Sequence, residues 1–179
     1  MYRMDYEDAK RIAIAYGYDD FSEPLAEINY HAGRNGEDAQ THNTLLGVKK
    51  NGKWGWIDAE GNVKIPFEYD YGWALCTNGI ILLDKDGRRG GLFRKDFSQA
   101  FAFKYEGVAG LGHVYEDTFI SMMPGDDLWG LVKPGDIRIT ESNKYDFLIN
   151  NGERFTGFRK RTLFGWTEGR IDLLTGHEM

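Results

Sequence analysis

The feature that most constrains this chain is a short step, one large side chain followed by glycine inside an apolar segment, that returns at nearly even spacing. It is clearest at Gly52-Lys53-Trp54-Gly55-Trp56-Ile57-Asp58 and again at Leu128-Trp129-Gly130-Leu131-Val132. Weaker versions stand at Arg89-Gly90-Gly91-Leu92-Phe93 and Phe164-Gly165-Trp166. Taking the residue before each glycine, the openings fall at 54, 89, 129 and 164, in steps of 35, 40 and 35 residues. A second landmark, tyrosine followed by an acid, falls at Tyr69-Asp70, Tyr105-Glu106 and Tyr145-Asp146, in steps of 36 and 40. Two landmarks in one register define a tandem repeat. A period of this size means supersecondary units that cannot bury an apolar face alone and share a core with their neighbours.

Turn chemistry says what each unit contains. Asn51-Gly52, Asn78-Gly79 and Asn151-Gly152 are Asn-Gly pairs, the strongest short-range hairpin signal when apolar segments flank them. Asp58-Ala59-Glu60-Gly61, Asp84-Lys85-Asp86-Gly87 and Lys133-Pro134-Gly135-Asp136 supply further turns. With 23 glycines against 4 prolines, the chain suits tight turns better than a proline-rich linker. The first unit reads as a meander over 45–50, 53–58, 62–66, 71–77 and 80–84. In the Trp-Gly step a strand-borne Trp lies across neighbouring strands, and the glycine lets the next backbone approach. The predicted fold class is mainly β: tandem antiparallel hairpin and meander repeats with a short N-terminal helix.

The stretch from Gly52 to Asp70, Gly-Lys-Trp-Gly-Trp-Ile-Asp-x-x-Gly-x-Val-x-Ile-Pro-x-x-Tyr-Asp, resembles the WG-repeat family of bacterial proteins. The copy at 129 keeps the opening and the Tyr-Asp pair without the Ile-Pro step, the copy at 89 has no Trp, and the copy at 164 is truncated. The resemblance covers roughly residues 44 to 176. It implies repeats at about 44–88, 89–128, 129–163 and 164–176, forming one folded unit behind a separate segment, 1–43. It implies an interaction scaffold and no shared enzymatic activity.

Segment 1–43 carries four Lys/Arg against nine Asp/Glu, a balance of -5 within a chain total of -6. Asp5 to Tyr16 places Ala9, Ile12, Ala13 and Tyr16 on one helical face, with Asp5 as cap and Gly17 as terminator. His31 to Asn43 has no apolar residue beyond alanine and is expected to be a loop. An acidic surface repels phosphate backbones and anionic lipid, so nucleic acid and membrane are not expected as partners, whereas a basic protein is. A single cysteine, Cys76, allows no internal disulfide, and the polar start has no secretory apolar region; both point to the cytoplasm.

No catalytic set announces itself. His31, His42, His113 and His177 fit no metal-ligand spacing, and His177, two residues from the end, is expected to fray. Cys76 stands in an apolar run and is read as a structural thiol. Asp84-Lys85-Asp86-Gly87 lacks the later ligands of a calcium loop, and Gly107 to Gly112 lacks the Lys-Ser/Thr step of a phosphate cradle. Arg159-Lys160-Arg161 is one short basic run, read as a strand end. An enzyme would need His31, His42 or His113 to meet in space. The paired acids Asp19-Asp20, Glu37-Asp38, Glu116-Asp117 and Asp126-Asp127 are expected in turns, where they would steer a basic partner. The expected function is therefore a non-enzymatic, cofactor-free and metal-free binding protein. The specific expectation is an immunity protein that neutralises a basic toxin domain, with a general WG-repeat scaffold or a carbohydrate-binding module as the alternative.

Overall fold

The structure is a computed structural model and describes residues 4–25, 27–28, 45–72, 74–77, 79–110, 118–125, 127–141, 143–149 and 154–179. The fold is mainly β with one short helix, α1 (Tyr6–Ala15). The strands are β1 (Asp20–Pro24), β2 (Glu27–Ile28), β3 (Leu46–Lys50), β4 (Lys53–Ile57), β5 (Val63–Tyr69), β6 (Leu75–Thr77), β7 (Ile80–Lys85), β8 (Arg88–Phe93), β9 (Gln99–Tyr105), β10 (Gly107–Gly110), β11 (Phe119–Met122), β12 (Trp129–Lys133), β13 (Ile137–Arg138), β14 (Phe147–Ile149), β15 (Phe155–Thr162) and β16 (Gly165–Asp172). They form four sheets, ordered β1-β3-β4-β5, β2-β6-β7-β8-β9, β10-β11-β12-β13 and β14-β15-β16. The pairing is antiparallel except between β2 and β6, which run parallel. The chain divides into two compact units, Met1–Gly87 with Gly91–Ser98, and Arg88–Gly90 with Gln99–Met179.

In the first unit, α1 starts where the sequence places its cap. The Asp5 carboxylate accepts from the Asp8 backbone N–H at 2.9 Å and Asp8 answers on the Asp5 N–H, a reciprocal box that satisfies two of the helix's orphan donors. Ala9 and Ala13 are buried against Leu46, Val48 and Ile57, so the helix lies on the face of the first sheet. Tyr16 departs from the expected apolar face. It is exposed, its ring covers Gly61, and its hydroxyl donates to the Glu60 carbonyl at 2.7 Å. The expected strand over 62–66 continues to Tyr69, and of the strand expected over 71–77 the described residues 71, 72 and 74 are not strand while Leu75–Thr77 is.

The hairpin turns behave as their residues require. Asn51 and Gly52 have φ of 52° and 79°, and Asp86 and Gly87 have 52° and 70°, both pairs left-handed as the two-residue turn demands. The glycine of the Trp-Gly step is also explained. A Cβ on Gly55 would stand 2.8 Å from the Ile65 carbonyl oxygen and 3.0 Å from the Phe67 ring. On Gly90 it would meet the Phe103 ring at 2.8 Å and the Phe101 carbonyl at 3.0 Å. The next strand's backbone and aromatic occupy the space that a side chain would need.

Register corrects the last repeat. Gly55 faces Val48 and Gly130 faces Ser121. The residue in the same place on β16 is Gly169, opposite Phe158, with the Met179 carbonyl 2.8 Å from its would-be Cβ. Glu168-Gly169 is therefore the fourth opening, and Phe164-Gly165 belongs to the hairpin tip between β15 and β16. The step from 129 is 39 residues, not 35.

Candidate functional site

The Tyr-acid pairs turn out to be the joints of the fold. Tyr69, Tyr105 and Tyr145 are buried. Each meets an aromatic partner: Trp56 at 5.7 Å, Phe101 at 6.3 Å and Phe158 at 5.1 Å between ring centroids. Burial pushes all three phenols well above their ordinary range. Tyr105 donates to Asp136 at 2.7 Å and Tyr145 to Glu178 at 2.8 Å.

The acid that follows each tyrosine caps a later hairpin. Asp70 N–H donates to the Asp84 carbonyl, while its carboxylate accepts from the Gly87 N–H at 2.9 Å and from Lys53 at 2.7 Å. Lys53 holds the Asp70 carboxyl below its usual range, seconded by the Gly87 N–H. Glu106 N–H donates to the Met122 carbonyl and its carboxylate accepts from Gly125. Asp146 repeats the pattern on the Arg159 carbonyl and the Arg161 N–H. Tyr18-Asp19, half-buried against Phe67, is a further instance that sequence spacing conceals. Asp19 N–H donates to Lys49, and its carboxylate accepts from the Asn51 N–H at 2.8 Å.

This reassigns part of the expected acidic surface. Asp19 is a turn cap. Asp20, one residue on, is exposed and accepts from its neighbour Phe21 N–H at 2.9 Å. Asp127 is exposed. Glu37, Asp38, Glu116, Asp117 and Asp126 lie outside the described residues, as do His31, His42, His113 and the loop expected over 31–43. Cys76 is buried. His177 does not sit in a frayed end: its carbonyl accepts from the Asp172 N–H at 2.9 Å, and Met179 and Arg170 exchange backbone bonds beside it. Among the described residues no three His, Cys, Asp or Glu side chains converge as metal ligands would.

The described carboxylates with depressed pKa hold structure together. Arg154 grips Asp172 with two bonds of 3.1 and 2.7 Å and, with the Leu174 N–H, lowers its pKa from 3.8 to about 2. A group depressed on folding stabilises above its ordinary pKa and loses that contribution as pH falls toward the folded value. Stability in urea is therefore expected to fall between about pH 4 and pH 2. The Asp172→Asn variant should be weaker by about 2 kcal/mol at neutral pH and flatter across that acid window. An unchanged acid slope in the variant would remove Asp172 from the account.

Among the described residues, two surface features stand out once the joints are subtracted. On the outer side of α1, Glu7, Lys10, Arg11, Ile14 and Ala15 line a shallow groove of about 470 Å³, with Ile14 69% exposed. On the last sheet, Phe147, Gly157, Phe158, Arg159, Glu168 and Gly169 line a depression of about 360 Å³. Above it runs the β15–β16 hairpin, whose Leu163 and Phe164 are 97% and 100% exposed. The sequence held a signal for that tip: an apolar Leu-Phe pair stands where other hairpins carry Asn-Gly or Asp-Gly. Reading Phe164-Gly165 as a repeat opening hid it.

Comparison with models of known protein families and with curated proteins gives no match. Among solved structures, the chain is similar to dihydro-heme d1 dehydrogenase NirN in complex with DHE, at 13% identity and a TM-score of 0.35, covering 76% of this chain and 34% of that one. It is also similar to Kuenenia stuttgartiensis hydrazine synthase, at 10% identity and a TM-score of 0.34, covering 76% of this chain and 45% of that one. The chain thus spans less than half the length of either. Likeness this faint carries no argument about activity.

Proposed function

We propose that this chain is a non-catalytic, WG-type β-repeat that binds a protein, and that it serves as an immunity protein against a basic toxin domain. The observation that supports this most is the outer side of α1, where Ile14 stands exposed in a groove lined by Glu7, Lys10 and Arg11, the last paired with Asp8 at 2.6 Å, within an N-terminal segment of net charge -5. An exposed apolar anchor ringed by charge is the composition of a docking patch: the apolar residue supplies contact and the carboxylates steer a cationic partner. Asp20 and Asp127, each exposed, are further acids proposed to meet the partner, as are Glu37, Asp38, Glu116, Asp117 and Asp126, which lie outside the described residues.

The repeat supports the reading in a second way. The Tyr-acid carboxylates cap turns, which leaves recognition to other surface residues. Co-expression with a toxin domain encoded immediately upstream is the test. Protected growth and salt-sensitive co-purification are the expected results, with Ile14→Asp weakening both. Unprotected growth, or no such neighbouring gene, overturns the reading.

A further inference from the structure

We propose that the β15–β16 hairpin is a second interaction element, distinct from the protein-binding reading above, and that it docks on an anionic lipid surface. The starting point is a broken local rule. Equivalent hairpins turn through Asn51-Gly52 and Asp86-Gly87, polar and left-handed as two-residue turns prefer. Here Thr162 pairs with Gly165 and the two turn residues are Leu163 and Phe164. Two large apolar side chains at a solvent-facing tip contribute nothing to a core, and departures from local rules of this kind concentrate at functional sites.

The tip is built, not slack. The Thr162 hydroxyl donates to the Gly165 carbonyl at 3.0 Å and accepts from the Phe164 N–H at 3.3 Å, so the turn is locked with both apolar side chains outward. Gly165 takes φ of 120°, a conformation that a side chain would strain.

Below the tip the chemistry is layered along the ribbon. Trp166 is 51% exposed. Arg161 lies directly across from it and Arg159 two pairs further down on the same face, with guanidinium carbons 5.2 and 4.7 Å from the indole centroid. Among the described residues neither guanidinium forms an ion pair, and both are exposed. At about 3.3 Å per residue, Trp166 and Arg161 sit about 7 Å behind the apolar pair and Arg159 about 13 Å behind it.

That order fits a planar lipid boundary. Apolar side chains enter about 5–10 Å, an amphipathic indole rests at the headgroup level, and arginines meet phosphates. A protein pocket would require no such grading by depth. The whole-chain charge of -6 does not oppose this, because fields from distant exposed carboxylates are screened over about 8 Å at physiological salt. Glu168, opposite Arg159, and Asp172, which Arg154 holds, are carboxylates of the ribbon on the same side.

The test is sedimentation of the full chain with phosphatidylcholine vesicles, with and without about 30% phosphatidylglycerol. Binding to the anionic vesicles is expected, weakening as salt rises. Leu163→Ser with Phe164→Ser should reduce partitioning about tenfold or more, and Arg159→Gln with Arg161→Gln should reduce it and flatten the salt dependence. All four positions are exposed, so circular dichroism should show both variants folded. No sedimentation with either vesicle, or a tip variant that partitions like the parent, overturns the proposal. If vesicles are ignored and the tip variant instead loses protection in the co-expression assay, the hairpin belongs to the protein partner.

Discussion

Trp56→Ala should cost about 4 kcal/mol, while Trp54→Ala, at the residue that gives the repeat its signature, should cost about half as much. The two indoles are two residues apart on β4 and share a face of the strand, yet they are buried to different depths. Trp56 is 1% exposed, edge-on to Tyr69 and paired in register with Ile65, so its removal opens a cavity that a strand meander cannot close. Trp54 is only half-buried; its ring rests on Gly72, with the Lys49 ammonium 5.9 Å from its centroid. Removing it uncovers backbone and leaves the core filled. Denaturant midpoints of the two variants, compared at equal m-value, decide the matter. Equal losses would mean that the signature Trp is core after all.

The second large effect concerns the last three residues. Deleting 177–179 should cost about 3 kcal/mol, as much as a core substitution, although chain ends are usually dispensable. Glu178 accepts from the buried Tyr145 hydroxyl at 2.8 Å, from Lys144 at 2.8 Å and from Lys160. Burial pushes the Glu178 carboxyl up, but these three donors outweigh it and bring its pKa down to about 2. The deletion leaves a buried phenol without its acceptor and two ammonium groups without their anion, and it removes the backbone bonds between Met179 and Arg170. Glu178→Gln separates charge from shape and should recover part of the loss. Thermal unfolding of the truncated chain checks this; an unchanged midpoint would make the tail ornamental.

The frame was legible in the sequence for particular reasons. Gly55 and Gly130 are where they are because a carbonyl, a side-chain amide or a ring fills the space beyond Cα, and Asn51-Gly52 and Asp86-Gly87 because their turns need positive φ. Such local demands leave a mark on residue type. The Tyr-acid pairs were legible as markers but not as mechanism. Nothing in Tyr105-Glu106 announces that the carboxylate reaches Gly125, 19 residues on, since that contact is made by pairing between distant strands. Tyr18-Asp19 escaped because 51 residues, not 36 to 40, separate Tyr18 from Tyr69. The candidate surfaces were least legible. Asp19 and Asp20 look alike in sequence, yet one caps a turn and the other faces solvent, a difference fixed by which residue follows the bend into β1. The hairpin tip was misplaced because Phe164-Gly165 imitates a repeat opening, and only strand register separates it from Glu168-Gly169.

The Tyr-acid joint also dictates where such a chain can be lengthened. The tyrosine completes the strand set that precedes it, and the carboxylate one residue later closes a turn in the set that follows. A duplication cut anywhere between joints carries one whole joint with it, so each added unit arrives with its own fastening to the next. Growth by whole periods therefore leaves no donor orphaned, and the irregular cost falls only on the ends. Glu178 stands to Tyr145 as Asp136 stands to Tyr105, each the acceptor for the phenol of its joint.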